Sequence, residues 1–164
     1  MSQSDLARFR ILCGQFRRLA IFMVISVGAL LALVHLVFPA MMTVREGAPP
    51  AGWLGGVLFA SPAVFYLFGV WSIGRAMGEL ARGRLIQPTL SGALRRVGLA
   101  LGIGGVTSVF VVTNLTRLIE GGRGGFLHFD VAGMTLGMIG GALFLLGRVM
   151  DQAGRVQAEL DEMI

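Results

Sequence analysis

The sequence predicts an all-α fold: an integral membrane four-helix bundle with short cytoplasmic helical extensions. The first observation is four long apolar runs without Asp, Glu or Arg, at 19–42, 53–74, 97–116 and 131–147. A helix rises about 1.5 Å per residue and the hydrocarbon core is about 30 Å thick, so about 20 residues cross it. The fourth run is the shortest, and the Arg148 side chain can extend it by reaching toward the headgroups.

The second observation is that the basic residues, all of them Arg, concentrate on one side of the runs. Short arginine-rich segments stay in the cytoplasm when membrane helices insert. We therefore expect a multi-pass membrane protein with both termini cytoplasmic. The arginines on this side are Arg8, Arg10, Arg17, Arg18, Arg75, Arg82, Arg84, Arg95, Arg96, Arg148 and Arg155. Those on the other side are Arg45, Arg117 and Arg123.

Composition is the third observation. Apolar residues make up 55% of the chain, charged residues only 14%, and 25 of the 164 residues are Gly. This balance is typical of closely packed membrane helices. The topology also accounts for the net charge of +5, so no direct nucleic-acid binding is expected. We expect one domain over 1–164, an uncleaved first span, and Cys13 as a small apolar residue without a disulfide partner.

Local signals place the helices within this layout. Trp53 and Trp71 lie about 27 Å apart along the second helix, which puts one indole at each membrane interface. Pro62 lies between them and predicts a kink, more readily a feature of packing than a gating hinge. After the fourth run the sequence predicts a cytoplasmic tail helix over 148–162.

Small residues predict how the last two spans pack. A face of small residues lets two backbones approach closely, and helices in lipid associate through such contacts. We expect packing within the bundle, and favour it over a homo-oligomer interface. The residues of these predicted packing faces are Gly98, Gly102, Gly133, Gly137 and Gly141.

Chemistry at membrane depth usually shows as ionisable residues inside the spans. All nine carboxylates fall outside the apolar runs, and His35 is the only candidate within one. His35 and His128 could together hold a metal or haem, but their spacing matches no signature. Hydrogen-bonded interfacial histidines are the favoured interpretation. The sequence predicts no catalytic residue, no cofactor and no metal site, and so a protein that is not an enzyme.

Two polar stretches could each be either a ligand site or an ordinary structural feature. Asn114 and its hydroxyl neighbours make part of the third span polar; bonds to their own backbone or across helices are favoured over a small-ligand pocket. The neighbours are Thr107, Ser108, Thr113 and Thr116. The run E-G-G-R-G-G at 120–125 lacks the G-K-[ST] ending of a phosphate loop and predicts a flexible turn.

Two stretches carry a family resemblance: G-E-L-A-R-G-R-L-I-Q-P-T-L-S-G-A-L-R-R-V-G at 78–98 and L-G-R-V-M-D-Q-A-G-R-V-Q-A-E-L-D-E-M-I at 146–164. With Asp130 before the fourth run, they resemble the bacterial membrane-protein family called domain of unknown function 2975. Val156 and Ala158–Glu159 stand where that family more usually shows Leu and Glu-Glu. The family has no established activity. Its members are often encoded beside a small helix-turn-helix DNA-binding protein, which implies a regulatory partnership.

The leading functional expectation is a non-enzymatic membrane protein whose cytoplasmic face binds a protein partner, with a small transcription regulator as the candidate. One alternative is a structural subunit of a larger membrane complex. The other is an oligomeric carrier or channel for small molecules, because a single four-helix bundle is normally filled by side chains.

The predicted partner surface joins the connector between the second and third runs (residues 75–96) to the tail helix. Val149, Ala153, Val156, Leu160 and Met163 follow a heptad spacing, which predicts an apolar seam along the tail helix. We expect this seam to dock on the connector and on the stripe Ile73, Met77 and Leu80, with the tail acids near the connector arginines; the alternative is a solvated, fraying tail. The predicted partner-binding residues are Arg82, Arg84, Arg95, Arg96, Val156, Glu159, Leu160 and Met163.

Overall fold

A computed structural model describes residues 3–48, 50, 52–83, 86–120 and 130–162 of the protein, and every regular element in these ranges is helical. A π-helical segment, Leu33–Val37, joins α1 to α2, and another, Thr107–Val112, joins α4 to α5. The helices are α1 (Gln3–Ala32), α2 (Phe38–Glu46), α3 (Trp53–Ala81), α4 (Ile86–Val106), α5 (Thr113–Glu120) and α6 (Val131–Glu162).

Four helical stretches are long and apolar enough to cross a membrane. They are span one (Arg8–Glu46), span two (Trp53–Ala81), span three (Pro88–Leu115) and span four (Val131–Asp161). The prediction of an all-α fold with four membrane-spanning helices is confirmed. Span one has 39 residues, or about 58 Å of helix, so it is much longer than the hydrocarbon core.

Two prolines inside the spans are accommodated in different ways. Pro62 lacks the N–H that would bond to Leu58 four residues earlier, and the Ser61 hydroxyl donates to that carbonyl instead, at 2.7 Å. The helix α3 therefore continues from Trp53 to Ala81 without interruption. Pro39 lies at the start of α2, directly after a π-helical segment in which the Phe38 N–H bonds to Leu33. The wider π turn leaves room for the proline ring.

The spans pack in the order of the sequence, as a single row. Span one packs on span two, span two on span three, and span three most extensively on span four. Among the described residues, spans one and four make no comparable contact with each other. Span one and span four are therefore the two edges of the row.

Burial along α3 shows its position inside the row. Gly74 and Gly78 are buried against span one, where Ala20 and Arg17 are their respective neighbours. Ser72, Ala76 and Leu80 are also buried. They alternate with the two glycines along the chain, and two residues of helix correspond to a rotation of about 200°. The helix is therefore covered on two opposite sides.

Spans three and four approach each other at the backbone. A Cβ atom built on Gly98 would lie 2.5 Å from the Phe144 nitrogen, and one on Gly105 would lie 2.5 Å from the Gly133 oxygen. Real Cβ atoms do not come this close, so only glycine fits at these positions. Gly133 and Gly137 also lie in this contact, as the small-residue spacing predicts.

The spacing of Gly133, Gly137 and Gly141 predicts that Gly141 packs against span three, but the structure places Gly140 in this contact instead. A Cβ on Gly140 would lie 2.5 Å from the Gly102 nitrogen, whereas Gly141 is exposed and a Cβ there would meet nothing within 4 Å. A rotation of 100° per residue puts Gly140 about 20° from Gly133 around the helix, and Gly141 about 80° away. The contact therefore follows steps of four and three residues, and Gly141 points out of it.

Candidate functional site

The arginine-bearing ends of the four spans meet at one end of the row. Arg17 of α1 lies against Gly78 of α3, and Arg95 of α4 lies against Gly147 of α6. We call this end the Arg-rich end. The opposite end contains the contact of His35 with Gly56 and that of Ser108 with Asp130.

A clasp of three polar side chains, Ser91, Arg95 and Asp151, joins spans three and four at the Arg-rich end. The Ser91 hydroxyl donates to Asp151 Oδ1 at 2.9 Å, and Arg95 Nη1 donates to Asp151 Oδ2 at 3.1 Å. Ser91 is only 2% exposed, whereas the Arg95 and Asp151 side chains are partly open to solvent. The ion pair by itself adds little, because exposed pairs stabilise by only about 0–1 kcal/mol.

The clasp also fixes the position of Arg95. Its guanidinium lies over the Phe144 ring, 6.0 Å from the ring centre. Its Cγ atom would be 2.8 Å from a Cβ on Gly147, so the glycine leaves the room that the arginine occupies. Sequence reasoning named Arg95 and missed Ser91, Asp151 and Gly147. Gly147 and Asp151 lie more than 50 residues from Ser91 and Arg95 along the chain, and no local pattern links the two pairs.

The tail helix is the last part of α6, and it packs through a face that was not predicted. Gly147, Asp151 and Gly154 face α4, and Asp151 and Gly154 line a cleft of about 280 Å³ with Ser91. Val156 and Leu160 are more than half exposed. They lie on the opposite side of the helix, given 100° per residue.

The expectation that the apolar seam docks on the connector and on the Ile73 stripe is therefore wrong, because Val149, Val156 and Leu160 of the seam are exposed. Glycines and the clasp make the contact with α4, since close backbone approach requires small residues there.

The predicted partner-binding residues separate into three groups in the structure. Arg95 belongs to the clasp, and Arg82 lines a cavity between α1 and α3. Arg96, Val156, Glu159 and Leu160 are exposed. Arg84 and Met163 lie outside the described residues.

At the opposite end, Asp130 makes a contact inside the span region. Its Oδ2 accepts the Ser108 hydroxyl at 2.5 Å, and its Oδ1 accepts the Ala132 N–H at 3.1 Å. It thus caps the first turn of α6. Ser108 is about 20 Å along the helix from Arg95 and lies within span three. The Asp130 carboxylate that bonds to it is therefore beside the span and not beyond its end. The sequence indicated only that Asp130 comes directly before the fourth apolar run, and it did not predict the hydrogen bond to Ser108.

The other polar candidates bond to their own helices. His35 Nδ1 donates to the Leu31 carbonyl at 3.1 Å. Asn114 Nδ2 donates to Phe110 at 2.7 Å, and the Thr113 hydroxyl donates to Val109 at 3.0 Å. Within the described residues, no three His, Cys, Asp or Glu side chains come together as metal ligands. His128 and most of the Gly-rich run 120–125 lie outside those residues.

Comparisons with protein-family models, with curated proteins and with solved structures gave no match. The family resemblance thus stays an interpretation of the sequence.

Proposed function

We propose that this chain is a non-enzymatic protein of a bacterial inner membrane that holds a soluble protein partner at its Arg-rich end. The observation that supports this is the tail helix. It is anchored to span three by the clasp and continues to Glu162 with Val156 and Leu160 exposed on one side.

In this proposal Val156 and Leu160 lie outside the lipid bilayer and are available to a protein. Val156 and Leu160 lie about 12 and 18 Å beyond Arg148 along the helix, and Arg148 marks the end of the apolar run. A contiguous apolar patch outside the hydrocarbon core marks a protein contact, and Val156 and Leu160, four residues apart, are neighbours on one face of the helix. A helix that is already formed and anchored also loses less entropy on binding than a disordered tail. The partner that fits is a soluble protein presenting an apolar helix face, as in other helix-pairing interactions.

The proposed orientation has the Arg-rich end in the cytoplasm. The arginine bias of the short segments supports it. Reporter fusions should give an external signal after Glu46 and an internal signal after Glu162. An external signal after Glu162 would reverse the orientation and remove any cytoplasmic partner from consideration.

Partner binding can be tested with one pair of variants. The first partner to test is the small helix-turn-helix protein that the family resemblance implies, if the same operon encodes one. Leu160→Asp should weaken its binding at least tenfold in mild detergent. Gln157→Asp is the control: it adds the same charge at a neighbouring exposed position off the seam. Equal binding by wild type and Leu160→Asp would contradict the proposal.

The row supports a second candidate function, as a structural subunit of a larger membrane complex. Span one is an edge of the row, and none of its most apolar window is buried within the chain. Such an edge can pack on another membrane protein. Removal of 152–162 distinguishes the two functions, because a subunit held by its spans keeps its complex without the tail, whereas a partner held by the tail is lost.

A further inference from the structure

A cavity of about 360 Å³ opens between spans one and two at the Arg-rich end. This volume is within the range of small-molecule sites, about 300–1,000 Å³. Arg17, Arg75 and Arg82 line it together with one acid, Glu79, and with Ile21 and Trp71 on the side toward the membrane. Every one of these residues is in the described part of the chain.

The cavity concentrates positive charge. The Arg75 Nε lies 3.5 Å from Glu79 Oε1, so this single carboxylate offsets part of the charge of the three arginines that line the cavity. Arg10 of α1 lies close to this end of α3, because its Nη2 would lie 3.1 Å from a Cβ on Gly83, next to Arg82 in the chain. Like charges that converge on a partly enclosed space repel each other unless an anion occupies it. Planar guanidinium groups suit phosphate oxygens in particular.

The position of Arg17 depends on a missing side chain. Its Cδ and Nε atoms would lie 2.7 and 3.1 Å from a Cβ on Gly78. The arginine therefore runs across the bare backbone of α3 at this glycine and reaches the cavity. One helical turn away, a Cβ on Gly74 would lie 2.9 Å from the Ala20 Cβ. The two helices are therefore close enough for arginines from both to line one space.

The other side of the cavity is apolar and lies at the membrane interface. Trp71 is 45% exposed, and Trp side chains favour the headgroup level of the bilayer. An occupant with a phosphate at the arginines and a hydrocarbon chain along Ile21 and Trp71 satisfies both sides. Basic pockets between membrane helices commonly hold anionic headgroups.

We propose that this cavity binds the headgroup of an anionic phospholipid, with Arg17 and Arg82 holding the phosphate. This proposal is independent of any protein partner. It requires only that the chain spans a membrane with this end at a lipid surface.

The test uses the full chain, purified in a mild maltoside detergent, and compares phosphatidylglycerol with phosphatidylcholine of the same acyl chains. Phosphatidylglycerol should bind by native mass spectrometry and raise Tm, and phosphatidylcholine should do neither. Arg17→Gln and Arg82→Gln should each weaken binding about fivefold. Arg18→Gln is the control: it removes the same charge from the adjacent exposed position, outside the cavity.

A second variant changes no charge. Gly78→Ala should displace the Arg17 side chain and weaken binding, whereas Gly92→Ala, where a Cβ meets nothing within 4 Å, should not. This pair decides the question if the arginine variants do not fold.

Three results would overturn the proposal. One is equal binding of the two lipids, and another is an equal loss in Arg17→Gln and Arg18→Gln. The third is displacement of the lipid by inorganic phosphate at millimolar concentration, which would assign the cavity to a soluble phosphate.

Discussion

Two adjacent glycines of α6 differ in what a side chain would meet. A Cβ on Gly140 would lie 2.5 Å from the Gly102 nitrogen and 2.7 Å from the Gly98 oxygen, whereas one on Gly141 meets open space. Gly140→Ala must therefore separate two backbones, and overpacking of this kind costs about 1–3 kcal/mol. Gly141→Ala should leave Tm equal or slightly higher, because Ala favours the helix. Thermal unfolding in detergent measures both.

If the two variants unfold at the same temperature, the close contact of spans three and four is not as described. Gly137→Ala serves as a further control in the same experiment. A Cβ there would lie 3.8 Å from Gly105, an ordinary van der Waals distance, so this variant should behave like Gly141→Ala.

At the scale of one element, α6 is half membrane helix and half tail, and the clasp lies at the junction. We expect Asp151→Ala to remove the hydrogen bond from Ser91 and the ion pair with Arg95. The Ser91 hydroxyl keeps the Pro88 carbonyl as an acceptor at 3.2 Å, so the cost should be about 1 kcal/mol. Amide exchange through 152–162 should then rise severalfold, because the tail loses its anchor to α4. Hydrogen–deuterium exchange with mass spectrometry measures this.

Asp161→Ala is the matched control for that experiment, since Asp161 is on the same helix and exposed. It should leave the exchange of the tail unchanged. If the tail of the wild-type protein already exchanges like a free peptide, the clasp does not anchor the tail to α4.

At the scale of the whole molecule, the row can be tested by cross-linking in a Cys13→Ala background. A Cβ on Gly69 lies 3.6 Å from that of Ala100, within the usual range for a disulfide, about 3.5–4.5 Å. Gly69→Cys with Ala100→Cys should therefore form a cross-link between spans two and three within one chain. Ile21→Cys with Leu145→Cys, which joins spans one and four, should not.

A product from the second pair that runs as a single chain would mean that the spans close into a ring. A product that runs as a dimer would instead show that two rows meet edge to edge.

Some of this architecture was predictable because it depends on composition along one stretch of chain. Whether a run can span lipid depends on its length and polarity, so all four spans and the helical tail follow from the residues alone. The arginine bias likewise predicts which ends share one side. The hydrogen bond from Ser61 to the Leu58 carbonyl beside Pro62 is local too, although the sequence predicted only a kink there.

Other features became visible only in the tertiary structure. Gly140 replaces Gly141 in the packing because the crossing of two helices decides which of two adjacent positions faces the partner. The clasp joins Ser91 to Asp151 and the cavity joins Arg17 to Arg82, and these pairs are far apart in the chain. Their proximity depends on which span lies beside which, and apolar length carries no information about neighbours, because each span is equally soluble in lipid.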